Sequence, residues 1–104
     1  MTISKFVELL LECCPAVYHH EAFQENSEFI VWGESGEVFF HADNVRAEEG
    51  TIIAVDILTK KEFSEVPARL KKIFRENEIA YKGPEIIYHP DTEFTQYAYT
   101  VELI

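Results

Sequence analysis

The stretch TIIAVDILTKKEFSEVPARLKKIFREN, residues 51–77, decides the fold. Its first nine residues predict a strand, because Ile53, Val55 and Ile57 alternate onto one face. The other face of this strand is also apolar, interrupted only by Asp56. A strand that is apolar on both faces is typical of the centre of a sheet. We therefore expect it to be central and covered on both sides.

An amphipathic helix follows this strand after a short link at residues 59–62. We expect Ser64 to cap it. Pro67 falls in the first turn, where its missing N–H costs little. Four apolar residues recur at helical spacing and predict the buried stripe of this helix: Val66, Leu70, Ile73 and Phe74.

The part of the chain before this unit predicts a second helix and short strands. The helix spans residues 2–14, is capped by Thr2 or Ser4, and ends at Pro15. Runs with strand preference lie at residues 16–18, 29–33 and 37–41. Turns are expected at residues 34–36 and 42–44. We expect a polar loop at residues 19–28, anchored to the core by Phe23, and either a loop or a frayed strand start at residues 45–50.

The C-terminal part predicts a connector at residues 78–84 and a hairpin of residues 85–89 with residues 94–103. In the last strand one face is apolar and the other polar. We therefore predict one α+β domain over residues 1–104, a mainly antiparallel sheet of four to five strands with two amphipathic helices packed on it. Residues 51–88 could also form a strand–helix–strand crossover with local parallel pairing.

Composition excludes several classes of function. The formal net charge of −10 opposes a nucleic-acid-binding surface, which needs cations to displace counterions. No apolar run approaches the roughly 20 residues that a membrane helix needs, and no signal peptide is recognised at the N-terminus. We expect a chain that binds neither membranes nor specific nucleic-acid sequences.

The basic residues are concentrated in one stretch, since residues 60–82 hold seven of the nine lysines and arginines. The simpler interpretation is a solvated helix face. The alternative is a basic patch that pairs head to tail with an acidic patch on another copy and so closes a ring. The candidate subunit-interface residues are Lys60, Lys61, Arg69, Lys71, Lys72, Arg75, Glu48 and Glu49.

The histidines do not form a recognisable metal motif. His19 and His20 are adjacent, and adjacent side chains of an extended chain point to opposite sides. His41 and Asp43 lie on one side of a predicted strand, and His89 lies in the hairpin. None of these spacings matches a zinc site, so we predict no metal ligands.

No catalytic constellation is recognised either. Cys13 and Cys14 lie within an amphipathic helix, where cysteines are more often core residues than nucleophiles. Glycines are isolated, so no phosphate-binding loop is present. We predict no catalytic residue and no cofactor.

Several strings follow one another in an order that resembles a known family. They are PAVYHHEAF at residues 15–23, FIVWGE at 29–34, FFHADN at 39–44, VDILTKKE at 55–62 and ARLKKIFRENEIAYK at 68–82. This series resembles small proteins of siphophages and prophages of Gram-positive bacteria, described as minor capsid or tail completion proteins. They are similar to tail terminators such as that of phage lambda. The chain departs from the pattern at Leu58, where tyrosine is usual, and at residues 46–50, which replace a strand.

The resemblance implies a structural protein and not an enzyme. Such proteins form a ring, hexameric in lambda-like tails, that caps the tail tube and faces the head connector. The implied partners are other copies of the chain, the tail tube protein and the head connector protein. The implied location is the head–tail junction of the virion, and the host cytoplasm during assembly. One alternative is a bacterial adaptor or regulatory domain that binds one protein partner; the other is a small metal-dependent or cysteine enzyme.

Overall fold

A computed structural model describes residues 1–22, 26–42 and 45–104, with side chains for all of these except 36–42 and 45–49. The elements are α1 (Ile3–Cys13), β1 (Val17–His19), β2 (Glu28–Ala42), β3 (Val45–Thr59), α2 (Val66–Glu76), β4 (Ala80–His89) and β5 (Phe94–Leu103). The strands form one sheet in the order β1-β2-β3-β5-β4. The β1–β2 pair is parallel, and the other pairs are antiparallel. The predicted α+β class is confirmed.

Local sequence sets the limits of both helices. Thr2 caps α1, because its side chain accepts a hydrogen bond from the Lys5 N–H at 3.1 Å. In α2 the N-cap is Glu65 and not the predicted Ser64. Ser64 Oγ nevertheless accepts the N–H of Val66 at 3.2 Å, so it satisfies a donor that the helix leaves free.

The strand β3 lies at the centre of the sheet, as predicted. Ile53, Val55 and Ile57 are fully buried in a core to which both helices contribute. The other face of β3 carries Ile52 and Leu58, which are only half-buried. Among the described residues no second helical layer covers that face, so the expectation of cover on both sides is wrong.

The hairpin of β2 and β3 is longer than the sequence predicts. The expected turn at residues 34–36 is instead a register shift within β2. Of the two expectations for residues 45–50, a loop or a frayed strand start, the strand start is the one observed, because these residues form the first part of β3. Backbone pairing therefore continues to Ala42 and Val45. Residues 45–50 of β3 have no β5 partner, so this part of β3 and the part of β2 paired with it project as an arm, and the molecule measures 48 × 24 × 21 Å. Phe23 and the centre of the turn predicted at 42–44 lie outside the described residues.

The C-terminal hairpin is confirmed, but β4 is longer than predicted. The strand begins at Ala80, within the predicted connector, and crosses a register shift between Lys82 and Glu85. The strand–helix–strand crossover exists without the parallel pairing, because β5 inserts between β3 and β4. This topology makes β4 an outer edge of the sheet.

Candidate functional site

The surface around β4 is the candidate functional site. This strand has ten residues and pairs with β5 on one side. The other edge strand, β1, has three residues. An edge strand presents a row of backbone N–H and C=O groups that pair with no neighbouring strand. A long edge of this kind is suited to pairing with another chain.

Apolar side chains are exposed along this edge. Ile86 and Tyr88 are 60% and 58% exposed on the helix side of the sheet, and Ile87 is 36% exposed on the opposite side. The helix α2 covers only the start of β4, where Phe74 packs on Tyr81 at 4.6 Å between ring centroids. The sequence signal was the run Ile86-Ile87-Tyr88, which is apolar on both faces of an edge strand where alternation would be expected. Sequence reasoning missed it.

A groove of about 250 Å³ runs between α2 and the outer strands. Its lining combines tyrosines with a lysine from α2: Pro67, Ala68, Lys71, Tyr81, Gly83, Pro84, Tyr97 and Tyr99. Burial raises the pKa of Tyr99 to about 12, so its hydroxyl stays protonated at neutral pH. The groove extends the apolar edge toward the basic helix.

Gly83 allows the bulge that shapes this edge. Its φ of +108° lies in a region that other residues rarely adopt, and an added Cβ would lie 2.7 Å from the carbonyl oxygen of Ala98. Pro84 follows through a cis peptide bond and offers no backbone donor. The bulge therefore depends on glycine at this position.

Three of the predicted interface cations are paired within the chain. Arg69 contacts Glu65 at 2.6 Å and donates to the carbonyl of Cys13 at 3.3 Å. Lys72 approaches Glu76 at 4.0 Å. Lys61 contacts Glu28 at 3.1 Å. Because such surface pairs contribute roughly 0–1 kcal/mol, these cations remain available to a partner.

Of the other predicted cations, Lys71 lines the groove at the candidate surface. Lys71 and Arg75 are exposed, four residues apart on α2, and within the described residues neither forms an ion pair. Lys60 Nζ lies 4.9 Å from the centroid of the Phe94 ring. The side chains of Glu48 and Glu49, the predicted acidic candidates, lie outside the described residues.

Glu28 fixes the start of α2 to the sheet. Its carboxylate accepts hydrogen bonds from Thr59 at 3.0 Å, from Lys61 at 3.1 Å and from Ser64. Burial on its own would raise the pKa of Glu28, but the hydrogen bonds from Ser64, Lys61 and Thr59 outweigh it and lower the pKa. The carboxylate is therefore charged at neutral pH and holds the ends of β2, β3 and the helix link together.

The two cysteines are core residues. Cys13 and Cys14 are 1% and 2% exposed. Burial raises the pKa of Cys13 to about 11 and also raises the pKa of Cys14. Since the thiolate is the reactive form, neither thiol is activated as a nucleophile.

A second cluster lies at the opposite edge of the sheet. His19, at the end of β1, contacts Glu34 of β2 at 2.5 Å between Nε2 and Oε1, and His20 approaches the same carboxylate oxygen at 3.8 Å. The hydrogen bond with His19 lowers the pKa of Glu34. The sequence argument that adjacent histidines point apart is wrong here, because His20 has a φ of 65° and its ring stacks on that of His19.

No protein-family model matches this chain, and no curated protein sequence matches it. In the described part of the chain, neither α1 nor α2 is long and apolar enough to cross a membrane. The assignment of function therefore depends on the surfaces described above and on the resemblance seen in the sequence.

Proposed function

We propose that this chain is a structural protein of a phage virion. In this role it forms the tail-terminator ring that caps the tail tube and joins it to the head connector. The observation that carries the proposal is the long open edge of β4 with Ile86, Ile87 and Tyr88 exposed on it. The resemblance to phage tail completion proteins is the reason for proposing a ring at the end of the tail tube. The chain would then reside at the head–tail junction, and in the host cytoplasm before assembly.

The two edges of the sheet favour a ring over a symmetric dimer. The strands β4 and β1 differ in length, and their surroundings differ in character. A contact that joins β4 of one copy to a different surface of the next is heterologous, and heterologous contacts that close produce rings. An exposed apolar edge also needs a partner, because such edges otherwise promote aggregation.

Charge supports the same contact. Lys71 lines the apolar groove and Arg75 follows four residues later on α2, while the whole chain carries a net charge of −10. A basic surface next to the edge would meet an acidic surface of the neighbouring copy. This complementarity would set the orientation of the contact, and the apolar residues would supply the buried area.

The assembly is tested by light scattering on a size-exclusion column, over a range of protein concentrations, with and without a tail tube protein. We expect a discrete ring-sized species. The variant Ile86→Lys should abolish it. The matched control is Leu11→Lys, which replaces another exposed apolar residue, 49% exposed on α1, and should leave assembly unchanged.

The charge contribution is tested by Lys71→Glu, with Lys5→Glu on α1 as the control for an equal change in net charge. Only the Lys71 variant should weaken the ring, and raising the salt concentration should weaken the unmodified ring in the same direction. A chain that stays monomeric even with a tail tube protein would contradict the proposal and favour the adaptor interpretation.

A further inference from the structure

We propose that His19, His20 and Glu34 form a binding site for a divalent transition metal ion of the zinc class. One ligand atom from each residue lies within 4.8 Å of the other two. Two imidazoles and one carboxylate are a donor set that zinc uses when the fourth position is left to water. The site lies at the β1–β2 edge, away from β4, and is independent of the proposed ring.

The distances in the cluster suit a shared ion. In a tetrahedral zinc site with ligands at 2.0–2.2 Å, neighbouring ligand atoms are about 3.3 Å apart. The Glu34 oxygen lies 2.5 Å from His19 Nε2 and 3.8 Å from His20 Nε2. One separation is shorter than the required value and the other is longer. Since the three ligand atoms already lie within 4.8 Å of one another, rotations of these exposed side chains would bring all three to one ion.

The neighbouring residues hold the two rings in place. Trp32 stacks on His19 with ring centroids 3.9 Å apart and an interplanar angle of 11°. The His20 ring stacks on the His19 ring, with ring centroids 4.1 Å apart. The backbone N–H of His20 donates to the carbonyl of Trp32 at 2.8 Å, which holds the left-handed turn at His20. A ligand that is positioned before the ion arrives loses less conformational freedom on binding.

Gly33 makes room for His20. A Cβ at Gly33 would overlap His20 Nδ1 and would lie 2.7 Å from His20 Cε1. The His20 ring therefore occupies the space that a side chain at position 33 would fill. An ordinary surface ion pair accounts for His19 and Glu34, but it does not account for a second imidazole placed over a glycine beside the same carboxylate.

The test is titration of chelator-treated protein with zinc chloride by isothermal calorimetry. We expect one zinc ion per chain. His20→Asn should weaken binding at least 10-fold, about the smallest loss that is typical when even an outer partner of a metal ligand is removed. Gly33→Ala retains all three ligands but displaces the His20 ring, so it should also weaken binding.

The matched control is His89→Asn, which removes a histidine of β4 at the opposite edge of the sheet and should leave zinc affinity unchanged. Circular dichroism checks that each variant is folded. Cobalt(II) provides a second readout, since the tetrahedral ion absorbs strongly in the visible range and the signal should be lost in Glu34→Gln. The proposal is overturned if no stoichiometric zinc binds, or if zinc binds with the same affinity in His20→Asn and Gly33→Ala.

Discussion

The hydrogen bonds of Glu28 lead to a quantitative prediction for the variant Glu28→Gln. Hydrogen bonds to a charged group contribute roughly 1.5–3 kcal/mol each. Thr59 and Ser64 donate to the same oxygen, Oε2, so glutamine can keep both bonds with its amide oxygen, but each becomes a neutral bond that is roughly 1 kcal/mol weaker. Glutamine also loses the charge that faces Lys61 at the other oxygen. Because Lys61 is exposed, its share is at most about 1 kcal/mol. We expect a loss of about 2 kcal/mol in the free energy of unfolding.

The same variant predicts a dependence on pH. The folded protein lowers the pKa of Glu28, so the charged carboxylate stabilises the fold at every pH above its unfolded value of about 4.3. That contribution is lost as the pH falls through the lowered pKa of the folded state. The difference in stability between the unmodified chain and Glu28→Gln should therefore be full at pH 7 and should shrink below about pH 4.

Urea denaturation at pH 7 and at acidic pH measures both effects. A loss of 2 kcal/mol corresponds to a fall of about 8–16 °C in the melting temperature of a domain of this size. Glu8→Gln is the control, because Glu8 is exposed on α1 and its contact with Lys5 is 3.8 Å long. A loss below about 0.5 kcal/mol, or a difference that persists unchanged at acidic pH, would refute the reasoning.

Three further predictions concern the core, the thiols and the β4 bulge. Phe74→Ala should destabilise the chain by about 3–5 kcal/mol in urea denaturation, because Phe74 is 1% exposed and packs on two tyrosines; a loss under 1 kcal/mol would contradict this packing. With a pKa of about 11, only about one Cys13 thiol in a thousand is ionised at pH 8. Thiol reagents should therefore label Cys13 only after the chain unfolds, and rapid labelling of the folded protein would contradict its burial. Gly83→Ala should lose about 1–3 kcal/mol in thermal denaturation, because its φ of +108° is strained for alanine, whereas Ala98→Gly should lose about 1 kcal/mol or less.

The sequence predicts the elements with strong periodicity. The central strand and both helices follow from apolar residues that repeat every 2 or 3.6 positions, and the structure confirms them. The same repeat identifies which residues of the last strand face the core. Thr2 is a cap that local chemistry identifies. The class of fold follows because these elements are separated along the chain and must share one core.

The errors occur where pairing overrides local preference. Glu34-Ser-Gly36 has the composition of a turn, yet β2 continues through it because a bulge absorbs the extra residue and the opposite strand keeps the backbone paired. The sequence predicts a connector at residues 78–84, whereas pairing with β5 makes β4 begin at Ala80, within that stretch. The proximity of His19, His20 and Glu34 was missed because the left-handed backbone of His20 cannot be read from an extended pattern.

The exposure of the β4 edge follows from the lengths of the elements that pack on it. The 11 residues of α2 span about 16 Å, whereas the ten residues of β4 span about 33 Å. The helix therefore covers about half of the strand, which is why Tyr81 is half-buried and Ile86 is exposed. Since β5 inserts between β3 and β4, no described strand lies beyond β4. In the proposed ring, the neighbouring copy would cover the half of this edge that α2 is too short to reach.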